Sequence, residues 1–400
     1  MARVKRPRFL CFFCDDQPFP DVGALLRGEV EPSSLRQIYA LSILAGEAVP
    51  ISADELELVT STPADRWVEP NGAAPETLTR LVSKGVLLSD GDGDEPSRYR
   101  RRDDDLVEAQ WNLHGALYYF LTKWHGVDLR QLTGQNPSGE LDAPNADVVR
   151  AFLDEFGRPP EPFRSADGPV QELPLVTRAG RLYDVLVERR TVRHFDAKKP
   201  LGLEELAVVL RYVFGYQAYA PLFGEVMTLK RTSPSSGGLH PVEAYPLVCN
   251  VDGLGPGLYH YNPRDHTLEQ IAELGRADAE VLAGELLCGQ TYFAAAHVTF
   301  LLSARFERAF WKYRRHQRGL TAVLMDAAHL TQTLYLVATE LGLGAFVTAA
   351  INGEDIDARL GLDGVREGAV VACGIGVPSA EPSPFDPRFV PFVPRTTELD

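Results

Sequence analysis

Lys230-Arg231-Thr232-Ser233-Pro234-Ser235-Ser236-Gly237-Gly238-Leu239-His240-Pro241 runs directly into an alternating stretch from Val242 to Asn250. Hydroxyls and two glycines set between two prolines make a backbone that a ligand can approach closely. Glycine has no Cβ, and successive N–H groups can converge on an anion or a carbonyl. The same residues are ordinary turn formers, so the stretch alone reads first as a well-capped turn before a strand. Its surroundings decide between the two readings.

Working outward, Leu258 to Tyr261 and Thr267 to Ile271 flank Asn262-Pro263 as a hairpin. Helices are expected over Arg276 to Leu287 and Thr321 to Leu341, and strands over Val298 to Ser303 and Ala369 to Cys373. Upstream, a helix begins near Leu182, and a second opens after Pro200 with Leu203, Leu206, Leu210 and Val213 inward and Gly215 as its stop. Helices and strands in this order make an α+β domain over residues 181–400. Residues 131–180, with Pro159-Pro160 and Pro162, read as a linker carrying one short helix at Ala146 to Phe156. Residues 1–130 read as a small winged-helix-like module. Its expected elements are a helix through Leu35, Ile38, Leu41 and Ala45, helices at Ala53 to Val59 and Pro75 to Gly85, and a strand at Val86 to Leu88 entering a hairpin at Asp90 to Gly93. Asp103-Asp104-Asp105 is expected to cap a longer helix whose stripe runs from Leu106 to Trp124.

Composition narrows the classes of function. The chain has 400 residues, 45% hydrophobic and 24% charged, enough for two cores. A net charge of -15 argues against a nucleic-acid partner. No apolar run reaches the roughly 18 residues of a membrane span, and Phe9 to Phe13 is too short for a secretion signal, so a cytoplasmic protein is expected. Cys11 and Cys14 lack the further soft ligands that zinc requires and read as strand residues; no metal site is expected.

Three groups of residues could carry chemistry. Arg189, Arg190, Thr191 and Arg193 concentrate donors suited to phosphate, although charge at a helix end is an equal reading. Pro234, Ser235, Ser236, Gly237 and Gly238, with Gly342-Leu343-Gly344-Ala345, could offer backbone donors to a ring system; neither usual nucleotide fingerprint is present. Lys312 and Tyr313, inside the basic run Glu307 to His316, could exchange a proton, although surface basicity is the commoner reason for such a run. His329, on the apolar face of its helix, reads as a hydrogen-bonded core residue.

Taken in order, Arg189-Arg190-Thr191-x-Arg193-x-Phe195, Pro234 to Pro241, Gly257-Leu258-Tyr259-His260-Tyr261, Lys312-Tyr313 and Gly342 to Ala345 resemble the nitroreductase-like flavoproteins. More narrowly they resemble the SagB-type dehydrogenases that mature ribosomally made peptides. The resemblance runs from about Tyr183 to Ile375. It implies a mixed sheet flanked by helices and FMN bound at a homodimer interface. Arg189, Arg190, Thr191 and Arg193 would hold phosphate, ribityl and pyrimidine edge. Ser235, Ser236 and Gly238 would reach the flavin from the second subunit, Gly344 and Ala345 would lie near its redox edge, and Lys312 and Tyr313 match the catalytic pair of azoline oxidases. After that pair the chain departs from the family, with Arg314-Arg315-His316-Gln317-Arg318-Gly319. The expected function is FMN-dependent dehydrogenation of an azoline or related residue in a precursor peptide, with a cyclodehydratase as possible partner and residues 33–130 as possible leader reader. An NAD(P)H-dependent reductase and a non-catalytic leader-binding scaffold are the alternatives.

Overall fold

A computed structural model describes residues 2–19, 33–70, 72–130, 146–160, 162–164, 168–171, 173–174, 176–223 and 226–381. The N-terminal part opens with β1 (Val4–Lys5), β2 (Leu10–Phe19), β3 (Ser33–Ser42) and β4 (Glu47–Ile51). The last three form an antiparallel sheet in which Cys11 stands opposite Leu41 and Ala40 opposite Val49. The helix expected through Leu35 to Ala45 is therefore a strand. Ten consecutive residues of β2 pair with it, and that long-range ladder overrides the local spacing of its apolar residues.

Two of the expected helices form. α1 (Ala53–Ser61) is closed by a reciprocal cap, Ser52 accepting from the Glu55 N–H at 3.2 Å while Glu55 accepts from the Ser52 N–H at 2.9 Å. α2 (Pro75–Ser83) starts on proline, whose missing N–H costs nothing at that position. β5 (Leu88–Ser89) then pairs with β1 instead of turning into a hairpin, and Gly93 leads straight into α3 (Asp94–Glu108). The winged-helix reading thus keeps its two helices but loses its first helix and its wing. Asp103 and Asp104 lie inside α3, where both bind Arg8; the fully buried Asp103 accepts from its backbone N–H at 2.9 Å and from Nε at 2.8 Å. A break at Gln110, whose φ is +61°, separates α3 from α4 (Leu113–Leu121), so one expected helix is two.

α4 is built into the rest of the protein. Trp111 packs with Tyr119, Phe120, Phe306 and Phe310, and its indole N–H donates to the Val365 carbonyl at 2.9 Å. Tyr119 donates to Ala369 at 3.0 Å, and Lys123 forms a buried ion pair with Asp357. An aromatic side chain that leaves 150–250 Å² of water contact contributes roughly 4–6 kcal/mol by area, so Trp111 is a strong fastener. The short helix expected at Ala146–Phe156 forms as α5.

The C-terminal part follows the expected α+β pattern. α6 (Arg181–Glu188) and α7 (Leu203–Val209) precede a hairpin of β6 (Ala218–Phe223) and β7 (Val226–Lys230). Then come β8 (Val242–Val248), β9 (Gly257–Asn262), β10 (Thr267–Glu273), α8 (Arg276–Leu286), α9 (Thr291–Ala294), β11 (Val298–Arg305) and α10 (Phe306–Tyr313). α11 (Gly319–Glu340), β12 (Gly344–Thr348), α12 (Gly353–Leu360) and β13 (Glu367–Gly376) follow. The central sheet has the order β10-β9-β8-β11-β13-β12, and every strand pair in it is antiparallel. Among the described residues, the parallel pairing expected of a mixed sheet is thus reduced to isolated bridges, Thr191 to Ala345 at the β12 edge and Leu201 to Val251. Short turns such as the one joining β9 to β10 can only return the chain antiparallel. One face of the sheet packs on α7 and α11, the other on α8, α9 and α12. No helix among the described residues is long and apolar enough to cross a membrane.

Candidate active site

α11 is the beam on which the site is hung. Val323, Ala327, Leu330, Leu334 and Ala338 are buried along it, as an amphipathic helix requires. Asp326 interrupts that apolar face at 4% exposure. Its carboxylate accepts from the Ser235 hydroxyl at 2.5 Å and from the Ser236 N–H at 2.9 Å, and Ser235 Oγ in turn accepts from the His240 N–H at 2.8 Å. One helix-borne acid therefore fixes both ends of the glycine turn. One and two helical turns further, Ser233 donates to the His329 carbonyl at 3.3 Å and shares a 2.6 Å hydrogen bond with Thr333. His329 departs from its expected role: its ring Nδ1 is buried without a hydrogen-bond partner among the described residues.

The far end of the loop is equally constrained. His240 holds φ at +47° and its Nε2 lies 2.9 Å from the Leu229 carbonyl. Burial, helped by the Arg231 guanidinium, pushes the imidazole down to about 4. At neutral pH the ring is uncharged, so the nitrogen facing that carbonyl carries the proton. Arg231 is buried, donates to the Val242 carbonyl at 2.9 Å and lies over Tyr216 at 4.7 Å.

Gly237 brings the loop and the Lys312-Tyr313 pair together. Its φ is +67°, and a Cβ there would stand 2.7 Å from Lys312 Nζ and 2.9 Å from the Tyr313 hydroxyl. A side chain would push the ends of the pair aside, and the positive φ favours glycine in its own right. Lys312 is exposed and Tyr313 half-buried at the end of α10. Gly237, Gly238, Leu239 and Lys312 line a cavity of about 530 Å³.

The arginine group occupies a different place. Arg189 lies over the Tyr335 ring at 5.2 Å, and Thr191 Oγ1 is 2.9 Å from the Tyr335 hydroxyl. The Val192 N–H donates to the Ala345 carbonyl at 2.9 Å, and a Cβ on Gly344 would stand 2.8 Å from Val192 Cβ. Gly344 and Ala345 are thus the buried backing of the arginine strand. Arg190 is exposed, and among the described residues no carboxylate pairs with Arg189 or Arg190.

This donor set fits a flavin nucleotide. Arg189, Arg190 and the Thr191 hydroxyl have donors for a phosphate, while the side-chain-free turn at Gly237-Gly238 and the orphaned His329 nitrogen lie where a flat polar ring could be held. Asp326, Thr333 and Tyr335 were not singled out from the sequence. The readable signal was an aspartate on the buried stripe of a long apolar helix, which has to be answered by donors.

A family model for the nitroreductases matches residues 186–377. A nitroreductase-named protein of Methanocaldococcus jannaschii is 32% identical over 179 residues, 44% of this chain and 82% of that protein. The chain belongs to the nitroreductase family. Its nitroreductase segment runs from within α6 to just beyond β13, so it includes both groups of site residues and none of residues 2–130. The trifolitoxin-processing protein TfxB of Rhizobium leguminosarum bv. trifolii is 26% identical over 173 residues, 43% of this chain and 46% of that protein. The microcin B17-processing protein McbC of Escherichia coli is 28% identical over 151 residues, 34% of this chain and 50% of that protein. The chain spans about half the length of these two relatives.

Proposed function

We propose that this chain is an FMN-dependent dehydrogenase of the SagB type, oxidising a thiazoline, oxazoline or related residue in a ribosomally made peptide. The observation that carries the reading is the meeting of Gly237 with Lys312 and Tyr313, which puts an amine and a phenol beside a loop open to a flat ligand. Relatives named for processing trifolitoxin and microcin B17 support a peptide as the substrate.

Arg189, Arg190, Thr191 and Arg193 would hold the phosphate and ribityl chain, and Pro234, Ser235, Ser236, Gly237 and Gly238 the ring. When bound, FMN supplies the hydride acceptor. The residues of the chain do the rest. Asp326 keeps the loop in one conformation, so that a substrate ring is placed and not merely admitted. Lys312 or Tyr313 then takes the proton from the substrate ring carbon, the step that makes loss of hydride possible.

We infer a homodimer, and the layout of α11 supports it. Asp326 and Tyr335 are nine residues apart, about 13 Å along the axis and about half a turn around it. The serine loop and the arginine group therefore lie on opposite faces of one helix, and a flavin touching both takes them from two copies. Residues 1–130 would read the leader of the precursor, with a cyclodehydratase supplying the azoline. Equal affinity for a precursor with and without its leader would remove that role.

The test is the absorbance spectrum and released cofactor of the purified protein, followed by the mass of an azoline-bearing peptide. Loss of about two mass units, a hydride and a proton, marks dehydrogenation. The likeness to the M. jannaschii protein favours a second reading, a reductase using NAD(P)H on a small molecule. Rapid bleaching of the flavin by NADPH in the absence of peptide would support it.

A further inference from the structure

The cavity beside Lys312 carries more positive charge than proton transfer uses. α10 turns Arg308, Trp311 and Lys312 toward it, at the three- and four-residue spacing that shares one helix face. Arg305 enters before the helix and Arg314 just after it. Arg305 is answered by Glu243 at 3.5 Å. Among the described residues no carboxylate forms an ion pair with Arg308, Lys312 or Arg314, although Glu307 lines the same cavity. Arg308 Nε donates to the Leu239 carbonyl at 2.5 Å, which fixes the guanidinium plane and leaves its Nη groups for a ligand. Met227, Leu239 and Trp311 add apolar wall.

We propose that this cavity is the subsite for a carboxylate of the peptide substrate, adjacent to the residue that reacts at Lys312. The carboxylate is an Asp or Glu side chain or the C-terminus of the peptide itself. The inference rests on Lys312 and the loop being the reacting centre. A planar, singly charged carboxylate matches the fork of Arg308.

The test uses the purified full-length protein and three probes: acetyl-Gly-Gly-Glu-Gly-Gly-amide, its Gln counterpart, and acetyl-pentaglycine with its carboxylate left free. Binding is followed by tryptophan fluorescence, with Trp311→Phe assigning the signal. A carboxylate probe is expected to bind about tenfold tighter than the Gln peptide, and the advantage should shrink as salt rises. Which of the two carboxylate probes wins identifies the source. The advantage should fall in Arg308→Gln and in Arg314→Gln; Arg314 makes only a local bond to the Trp311 carbonyl, so that variant reports on a folded protein even where Arg308→Gln does not. Equal binding of all three probes, or a preference unchanged in the variants, overturns the proposal. So does preference for NADPH over NADH without discrimination among the peptides. A charge preference without azoline oxidation sinks the dehydrogenase reading and leaves the subsite standing; oxidation without a charge preference does the reverse.

Discussion

The two faces of α11 hold their loops in opposite ways. On one, Asp326, Thr333 and the His329 carbonyl tie Ser233, Ser235 and Ser236 by hydrogen bonds within the chain. On the other, Arg189 is stacked on Tyr335 and Arg190 has no acid as partner among the described residues. The first face is finished before any ligand arrives. The second is left incomplete, because guanidinium donors already paired to carboxylates could not bind a phosphate strongly. Shape is preorganised on one side and charge is held in reserve on the other.

The sharpest way to break this contrast is at Lys312. Lys312→Ala should lower turnover of an azoline peptide by roughly 10²- to 10⁴-fold while FMN stays bound, the usual contribution of a positioned acid–base group. Single-turnover flavin reduction is the measurement, and full activity would remove Lys312 from the chemistry and leave Tyr313 as the only candidate of the pair. Asp326→Ala comes next. It leaves the partly buried Ser236 N–H and Ser235 hydroxyl without their acceptor, which should cost about 1–3 kcal/mol of stability and weaken FMN as the loop loosens. A melting curve unchanged by that substitution would mean the loop is held by something else.

On the other face, Arg190→Ala should leave stability alone and weaken FMN about tenfold, through one lost charged contact. If it lowers the melting temperature as much as Asp326→Ala, the two faces do not differ as described. The remaining effect expected is with pH. His240 is held neutral in the fold, with Arg231 and Arg308 opposing its proton and Asp326 favouring it. The unfolded imidazole takes up a proton near 6.5 and the folded one only at about 4. Stability should therefore fall as pH drops through that window and level off below it. In His240→Asn, which tolerates the positive φ, the slope should flatten.

Much of the C-terminal part was legible because its helices carry plain apolar stripes with clear stops, as from Leu203 to Gly215. The loop at Ser233 to Pro241 was legible as a place for a ligand, but what fixes it was not. Asp326 lies some ninety residues away, and no local rule joins it to Ser235. β3 is not legible as a strand because Leu35, Ile38 and Leu41 fall at helical spacing, and the ladder that makes it one is supplied by β2 and has no local signal in β3 itself. Asp103 has the chemistry of a cap because carboxylates favour helix starts, whereas here Arg8 recruits it into the body of α3.

Trp111 finds its acceptor on Val365, 254 residues downstream. A ribosome adding about 5–20 residues per second reaches that carbonyl on the order of 10–50 s after the indole has been made. Through that interval the helices around Trp111 exist as a half-built surface whose missing side has yet to be translated. A protein cut after residue 130 would freeze both halves at that stage, each with an open aromatic face. The nascent chain therefore needs the end of its nitroreductase segment to finish folding its beginning.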